Sequence, residues 1–226
     1  MGSVDGRVTG RWARAPLAAL LGLVAMVTDL DGGRPDHPAS FLYFSYGSNL
    51  LQQRLRLNNP SAVKVNVGCL KGYKLAFGIH NNTYSRWGGA SATIVRSSED
   101  EVWGVVWRLN LSELDSLDKQ EGVPDGHYNP IEVIIKQISP GEDQLCRSYQ
   151  MNVSNYSFPS QIYKEVICTG AKQNGLPAEY VEKLLDIETN SYNGTTPFIL
   201  DIKEMLNQVK NNLNPLTSFG KVAVSL

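Results

Sequence analysis

The sequence predicts an α+β fold in which a few helices pack around a set of strands. Strand-type apolar runs recur between residues 41 and 151 and are separated by polar or glycine-rich breaks. Helical patterns dominate afterwards, without the strict strand–helix alternation of a parallel sheet. The 226 residues, 42% of them hydrophobic, suffice for one sizeable core. We expect the strands to curl into a small barrel, although periodicity alone does not predict closure.

The first half of the chain is predicted to supply most of the strands. An aromatic-rich run over residues 41–46 is typical of a strand that ends at Gly47. Ser48 or Asn49 is a suitable cap for a short helix over residues 50–57. The next strands are expected at 63–70, 73–79, 90–95 and 102–109, with a loop over 81–89 and a turn over 97–100.

A short amphipathic helix is predicted next, because Leu111, Leu114 and Leu117 recur every three residues. It spans residues 112–122, where Gly122 favours a left-handed stop. The remaining elements are a hairpin with strands at 133–138 and 145–151 and a turn at 139–142, and helices at 160–174, 177–187 and 201–211.

Charge and cysteine usage exclude several classes of function. The net charge is −1 and no basic stripe is present, so no nucleic-acid partner is expected. Cys69, Cys146 and Cys168 are widely spaced and form no C-x-x-C motif, which favours buried free thiols in a reducing compartment. The histidines are isolated, and we expect no metal site.

The first 40 residues are predicted to be a leader or a disordered extension. Arg7, Arg11 and Arg14 precede an apolar run over residues 15–27, which resembles a signal peptide but is too short to span a bilayer. Sequons for N-glycosylation follow at Asn81, Asn110, Asn152, Asn155 and Asn193. The run lacks a clean cleavage site, and Met26 is a candidate internal start, so a cytoplasmic protein is expected. Secretion is the alternative if the leader over residues 7–27 is functional.

The junction after the first strand is a candidate anion site. Gly47 permits a sharp turn and the close approach of a ligand. The amides of Ser48, Asn49 and Leu50 would then be free at a helix N-terminus. In isolation, the pattern is more typical of an ordinary capped turn.

Glu121 is the candidate general base. It lies in the last helical turn, where the helix dipole and nearby Asp118 raise a carboxylate pKa and Lys119 lowers it. A raised pKa suits proton transfer near neutral pH. Most helix-end glutamates are simply solvated, and the tyrosines at 46, 128, 149 and 163 are, in isolation, more typical of half-buried strand aromatics than of ligand-orienting groups.

Several segments together resemble the γ-glutamylcyclotransferase family. Residues 41–50 (FLYFSYGSNL) resemble its opening segment. Residues 101–107 (EVWGVVW) and 117–123 (LDKQEGV) resemble its central strand and the end of its catalytic helix. Residues 146–149 (CRSY) and 170–177 (GAKQNGLP) match later segments of the family.

The resemblance covers residues 41–192 and is closest to the cytosolic animal type. It implies a small mixed β-barrel with flanking helices, usually a homodimer without metal or cofactor. The implied reaction converts γ-glutamyl amino acids to 5-oxo-L-proline and a free amino acid, within glutathione metabolism. Glu121 matches the family's catalytic glutamate. The implied substrate-binding residues are Tyr43, Phe44, Ser45, Tyr46, Gly47, Ser48, Asn49, Tyr128, Tyr149 and Tyr163.

Two positions depart from the family pattern. Ser45 stands where alanine is usual, and Lys119 replaces an acidic residue, which we expect to lower the pKa of Glu121. The alternatives are a related cyclotransferase acting on glutathione or γ-glutamyl-ε-lysine, or a non-catalytic dimeric binding module. Beyond the domain at 41–192, residues 193–226 are predicted to form a partly helical extension.

Overall fold

The structure, a computed structural model, describes residues 38–137 and 141–213. Its strands are β1 (Ser40–Ser45), β2 (Val63–Ile79), β3 (Ser91–Asn110), β4 (Tyr128–Gln137), β5 (Gln144–Met151) and β6 (Asn155–Tyr156). Its α-helices are α1 (Gln52–Arg56), α2 (Leu114–Gln120), α3 (Gln161–Asn174), α4 (Ala178–Leu185) and α5 (Pro197–Leu213). The 3₁₀ helices Ser48–Leu50 and Leu111–Glu113 precede α1 and α2. Residues 1–37 of the predicted leader and residues 139–140 of the predicted turn at 139–142 lie outside the described residues.

Strands β1 to β5 close into a mixed barrel. The hydrogen-bonded order is β3–β1–β5–β4–β2, and β2 also pairs with β3, which completes the ring. Strand β1 runs antiparallel to β3 and parallel to β5. The short β6 pairs with β2 outside the ring. The predicted α+β class and the barrel are confirmed, and closure gives each of the five strands a neighbour on both sides.

Strands β2 and β3 form one long antiparallel hairpin where the sequence predicted four shorter strands. The register shifts between Lys71 and Tyr73, so that residues 97–100 bulge opposite Gly72. Gly72 has a φ of 77°, a left-handed conformation that glycine adopts easily. The predicted turn at 97–100 is therefore wrong as a strand boundary, because its polar residues form a bulge within a continuous strand.

Local signals predicted both ends of α3 and the glycine stop after α2. The Ser160 hydroxyl accepts a hydrogen bond from the Tyr163 amide at 3.3 Å and caps α3. Gly175 ends α3 in the left-handed region with a φ of 72°, and Gly122 follows α2 with a φ of 68°. The first helix differs from its prediction over 50–57, because Leu51 is extended and separates a 3₁₀ turn from α1.

One hydrophobic core joins the barrel to the helices. The helix α5 contributes its buried face, Ile199, Ile202, Leu206 and Val209, to the same cluster as the barrel strands. This helix is longer than the predicted 201–211, and the boundary at residue 192 stays a prediction. Cys69, Cys146 and Cys168 are buried and free, as predicted. Within residues 38–137 and 141–213, no helix combines the length and apolar character needed to cross a membrane.

Candidate active site

A cavity of about 680 Å³ opens beside the end of β1. Its walls come from the 3₁₀ turn after β1, from α2 and from the loop between β2 and β3. Most of the predicted site residues line it: Tyr43, Tyr46, Gly47, Ser48, Asn49, Glu121, Tyr128, Tyr149 and Tyr163. The fold thus brings together residues that lie as far as 120 positions apart in the sequence.

Phe44 and Ser45 belong to the predicted binding segment but do not line the cavity. Phe44 is fully buried, and its ring lies against Gly104. The Ser45 hydroxyl accepts a hydrogen bond from the indole nitrogen of Trp107 at 2.8 Å. Both side chains of β1 are buried in the core. They can therefore support substrate binding only by positioning that strand. The hydroxyl at residue 45, where alanine is usual, satisfies a buried indole N–H.

Gly47 packs closely against strand β3 and helix α3. A Cβ atom at this position would lie 3.1 Å from Ala92 Cβ and 3.3 Å from the Tyr163 hydroxyl. The Leu50 amide donates to the Gly47 carbonyl at 3.0 Å and is therefore used within the turn. Among the described residues, no acceptor pairs with the amides of Ser48 and Asn49. The predicted set of three free amides is thus reduced to two.

Helix α3 supports this turn from behind. Gly170 permits the close approach, because a Cβ there would lie 2.4 Å from the Leu51 amide nitrogen. The Asn174 side-chain amide donates to the Leu50 carbonyl at 2.7 Å. The Gln173 side-chain carbonyl accepts a hydrogen bond from the Gln52 amide at 3.1 Å. The site loop is therefore fixed by contacts on its far side, independently of any ligand.

Glu121 is hydrogen-bonded directly to the turn. Its Oε1 atom accepts hydrogen bonds from Asn49 Nδ2 at 2.7 Å and from the Tyr43 hydroxyl at 3.2 Å. Asn49 is itself oriented, because its Oδ1 atom accepts from Gln120 Nε2 at 2.8 Å. Among residues 38–137 and 141–213, no donor reaches Oε2 of Glu121. One carboxylate oxygen is therefore held by the protein while the other remains available to a ligand.

Burial is the main reason that the pKa of Glu121 is raised to about 7. The positive charge of Arg54 and the hydrogen bond from Tyr43 oppose this rise, and the charge of Asp118 adds to it. The prediction of a raised pKa and the direction of the Asp118 effect are therefore confirmed. The expected lowering by Lys119 is not among the main causes, since the cations that lower the pKa of Glu121 most are Arg54 and Arg86.

The cavity tyrosines make hydrogen bonds to the protein. Tyr46 donates to the Tyr149 carbonyl, and Tyr128 donates to the Ala92 carbonyl at 2.7 Å. The Tyr163 hydroxyl accepts from the Ala92 amide at 3.0 Å. Burial raises the pKa of Tyr163 to about 12, so this hydroxyl stays neutral at physiological pH. These rings form a polar but neutral wall.

A second network fixes the helix that carries Glu121. The Arg147 guanidinium donates to the Asp118 carboxylate at 2.7 and 2.8 Å. The Tyr149 hydroxyl donates to the same carboxylate at 2.5 Å. Because Arg147 and Tyr149 lie on β5 and Asp118 lies on α2, the network joins the helix to the barrel. Tyr149 therefore fixes the position of α2 through its hydroxyl and lines the cavity with its ring.

Two arginines of the cavity were not predicted as site residues. Arg54 lies on α1, whose short pattern gave no indication that an arginine would be buried. Arg86 lies in the loop over 81–89, which the sequence indicated only as polar and glycine-rich. A basic residue five positions after the YGSN segment is the one signal that could have drawn attention to Arg54.

The comparisons with known proteins agree with this site. The AIG2-like family model matches residues 101–184, which include Glu121. The gamma-glutamylcyclotransferase of Bos taurus is 55% identical over 156 residues, which cover 69% of this chain and 82% of that protein. The gamma-glutamylcyclotransferase of Mus musculus is 51% identical over 168 residues, which cover 74% of this chain and 89% of that protein.

A solved structure carries the same assignment. A structure named gamma-glutamyl cyclotransferase superposes on this chain with a TM-score of 0.72 and 48% sequence identity. The superposition covers 75% of this chain and 99% of the other. With relatives this similar over more than two thirds of its length, the chain belongs to the γ-glutamylcyclotransferase family, and both the predicted family and the predicted cyclotransferase type of enzyme are confirmed.

Proposed function

We propose that this cavity converts γ-glutamyl amino acids to 5-oxo-L-proline and a free amino acid, with Glu121 as general base. The observation that carries the proposal is the state of the Glu121 carboxylate. Its Oε1 atom is held by Asn49 and Tyr43, while its Oε2 atom has no donor among the described residues. A pKa of about 7 gives a substantial fraction of carboxylate near neutral pH.

The substrate carries its own nucleophile, so no cofactor is required. Its glutamyl α-amine is mostly an ammonium ion near neutral pH and cannot attack in that form. Glu121 accepts one proton, and the free amine then attacks the γ-carbonyl carbon and closes a five-membered ring. The tetrahedral intermediate collapses with cleavage of the bond to the second amino acid. Glu121 returns its proton to that departing nitrogen, and the ring nitrogen loses its second proton as the released amine becomes an ammonium ion, so the enzyme ends as it began.

The turn after β1 supplies the polar contacts that this reaction needs. The free amides of Ser48 and Asn49 either bind the glutamyl α-carboxylate or stabilise the oxyanion. A well-placed oxyanion donor is worth about 3–4 kcal/mol. Gly47 keeps the turn free of side-chain atoms, and Tyr46, Tyr128 and Tyr163 shape the rest of the pocket. Folding of the flexible substrate into its attack conformation supplies further rate enhancement.

Incubation of the full chain with γ-glutamyl-L-alanine tests the proposal directly. Mass spectrometry follows the release of alanine together with 5-oxoproline. Glu121→Gln keeps the size of the side chain but cannot accept the proton, and we expect turnover to fall by at least about 10²-fold while substrate binding persists. Glu182→Gln on the exposed face of α4 is the matched control and should behave as the wild type.

The outcomes separate the candidate functions. Near-normal product from Glu121→Gln would refute the assignment of the base. No product from the folded wild type would direct the same assay to glutathione and γ-glutamyl-ε-lysine. Binding of all three substrates without product would support a non-catalytic module instead.

The remaining expectations concern assembly and location. We propose a homodimer in the cytoplasm, with residues 41–192 as the catalytic domain and 193–226 as its extension. Exposed aromatic residues such as Tyr156 and Phe158, with exposed fractions of 63% and 51%, suit a contact between two copies. Sedimentation of the full chain, and of variants with serine at these positions, measures the oligomeric state.

A further inference from the structure

Arg54 is a buried cation without a partner in the described part of the chain. Its residue is only 4% exposed, and its Nε atom has no hydrogen-bond acceptor. None of the described carboxylates lies within ion-pair distance of its guanidinium, including Glu121. The side chain lines the cavity, so its guanidinium is positioned to meet a ligand.

An unpaired buried guanidinium is costly, because it loses hydration without gaining an anion. Burial is also the largest cause that lowers the pKa of Arg54, followed by the like charge of Arg86. A carboxylate on the substrate would remove this cost and pair with the planar guanidinium. The geometry therefore indicates an anionic group of the ligand beside Glu121.

Arg86 offers a second cation at the mouth of the same cavity. Its residue is exposed, and its guanidinium carbon lies 4.3 Å from the centroid of the Phe198 ring. Stacking on an aromatic ring orients a guanidinium without using its N–H donors. Within residues 38–137 and 141–213, those donors make no hydrogen bond or ion pair.

The backbone that carries Arg86 is held in place. Trp87 is buried, with its ring centroid 4.9 Å from that of Tyr163 and 4.7 Å from that of Phe198. Asn190 Nδ2 donates to the Gly88 carbonyl at 2.8 Å. The cation at the mouth is therefore a fixed feature of the cavity wall and is joined through Phe198 to α5.

The charge of the cavity favours a dianionic ligand. Its lining contains three cationic side chains, Arg54, Arg86 and Lys119, against the carboxylates of Glu121 and Asp125. A γ-glutamyl amino acid carries two carboxylates and one ammonium group. One carboxylate shares a carbon with the amine that Glu121 must reach, and the other belongs to the amino acid that is released.

We propose that Arg54 and Arg86 divide these two carboxylates between them. Arg54, deep in the cavity, binds the glutamyl α-carboxylate and brings the α-amine to Glu121. Arg86, at the mouth, binds the carboxylate of the amino acid that leaves. The amides of Ser48 and Asn49 then serve the oxyanion. This inference rests on the proposed function and refines it: the preferred substrates carry a carboxylate on the carbon bonded to the scissile nitrogen.

A pair of substrates tests the role of Arg86. γ-Glutamyl-alanine has the second carboxylate, whereas γ-glutamyl-alaninamide replaces it with a neutral amide of similar size. The ratio of their kcat/KM values measures recognition of that carboxylate. In Arg86→Gln we expect this ratio to fall about fivefold, an effect suited to an exposed ion pair.

Arg54 should respond differently, because both substrates keep the glutamyl α-carboxylate. Arg54→Gln is expected to lower kcat/KM about thirtyfold for both substrates and to leave their ratio unchanged. Measurements well above the pKa of Glu121 remove the effect of Arg54 on that carboxylate. Arg54→Lys, which keeps the charge, should recover part of the loss and provides a second variant if Arg54→Gln folds poorly.

A matched control comes from outside the cavity. Arg96 also lies over an aromatic ring, 4.4 Å from the centroid of Tyr73, but it lines a separate groove. Arg96→Gln should leave both substrates unaffected. An unchanged ratio in Arg86→Gln would overturn the proposal, whether both substrates lose activity equally or neither does.

Failure of the proposed function can be distinguished from failure of this inference. If the wild type turns over neither substrate, the proposed function fails. Calorimetric binding of γ-glutamyl-alanine and its amide to the same variants then measures the affinity ratio. A fivefold loss of that ratio in Arg86→Gln would support the division of carboxylates, and an unchanged ratio would refute it.

Discussion

The two sides of the cavity differ in how their polar groups are satisfied. On one side, Glu121, Asn49 and Tyr43 hydrogen-bond to one another. On the other side, the guanidinium groups of Arg54 and Arg86 have no partner among the described residues. On the first side only Oε2 of Glu121 is left for a ligand, whereas on the second side both guanidinium groups are left for one. The difference indicates that the fold preorganises the base and leaves carboxylate recognition to unpaired cations.

The raised pKa of Glu121 gives the largest expected effect, which is a loss of folding stability near neutral pH. The pKa of Glu121 rises from 4.5 to about 7 on folding, so between these pH values the folded protein keeps a proton that the unfolded chain has lost. The resulting penalty on folding is absent below about pH 4.5 and fully present above about pH 7. At about 1.4 kcal/mol per pKa unit, it reaches at most about 3.5 kcal/mol.

Glu121→Gln removes this penalty, because an amide does not ionise. We therefore expect the free energy of unfolding of the variant, relative to the wild type, to increase as the pH rises from about 4.5 to 7. Urea unfolding across this pH range measures the difference. A difference that stays constant with pH would show that burial does not raise the pKa of Glu121.

The close packing of Gly47 against Ala92 gives an intermediate effect. A Cβ atom at Gly47 would already lie 3.1 Å from Ala92 Cβ, and the methyl groups of valine would add to the crowding. In Gly47→Val we expect KM for γ-glutamyl-alanine to rise at least about tenfold, with a smaller effect in Gly47→Ala. Steady-state kinetics checks the series, with thermal unfolding as a control for misfolding. Unchanged KM and kcat in the valine variant would remove the turn from the site.

The hydrogen bond from Tyr43 gives the smallest expected effect. It lowers the pKa of Glu121, so Tyr43→Phe should raise that pKa by a few tenths of a unit to about one unit. The rising limb of kcat/KM against pH should therefore move to higher pH. Tyr156→Phe is the control, since Tyr156 is exposed and lies outside the cavity. A shift of the limb to lower pH in Tyr43→Phe would contradict the assigned role of the hydroxyl.

Local signals explain why so many elements could be predicted. The aromatic run before Gly47, the serine cap at Ser160 and the glycine stops at Gly122 and Gly175 act within a few residues of their own position. Such signals survive in a single sequence, because their physical causes are backbone conformation and nearest-neighbour hydrogen bonds. The family resemblance added Glu121 and the loop residues, which the pattern in isolation would have left as an ordinary helix end and turn.

Where the predictions were wrong or incomplete, non-local contacts decided the structure. Residues 97–100 have the composition of a turn, but pairing along β2 keeps them inside one strand as a bulge. Lys119 is close to Glu121 in sequence, yet the cations that lower its pKa most are Arg54 and Arg86, because the fold brings them into the same cavity. Sequence distance is a poor guide to electrostatics, since burial and spatial proximity set the interaction.

By itself, the sequence determined the α+β class, most element positions, the family and the identity of the candidate base. The tertiary structure decided the closure of the barrel and the pairing of Asn49 with Glu121 across 72 positions. It also decided that burial is the main cause of the raised pKa of Glu121 and that two unpaired arginines face it. The physical reason is that periodicity and capping depend on neighbouring residues, whereas desolvation and charge pairing depend on which distant segments the closed barrel brings together.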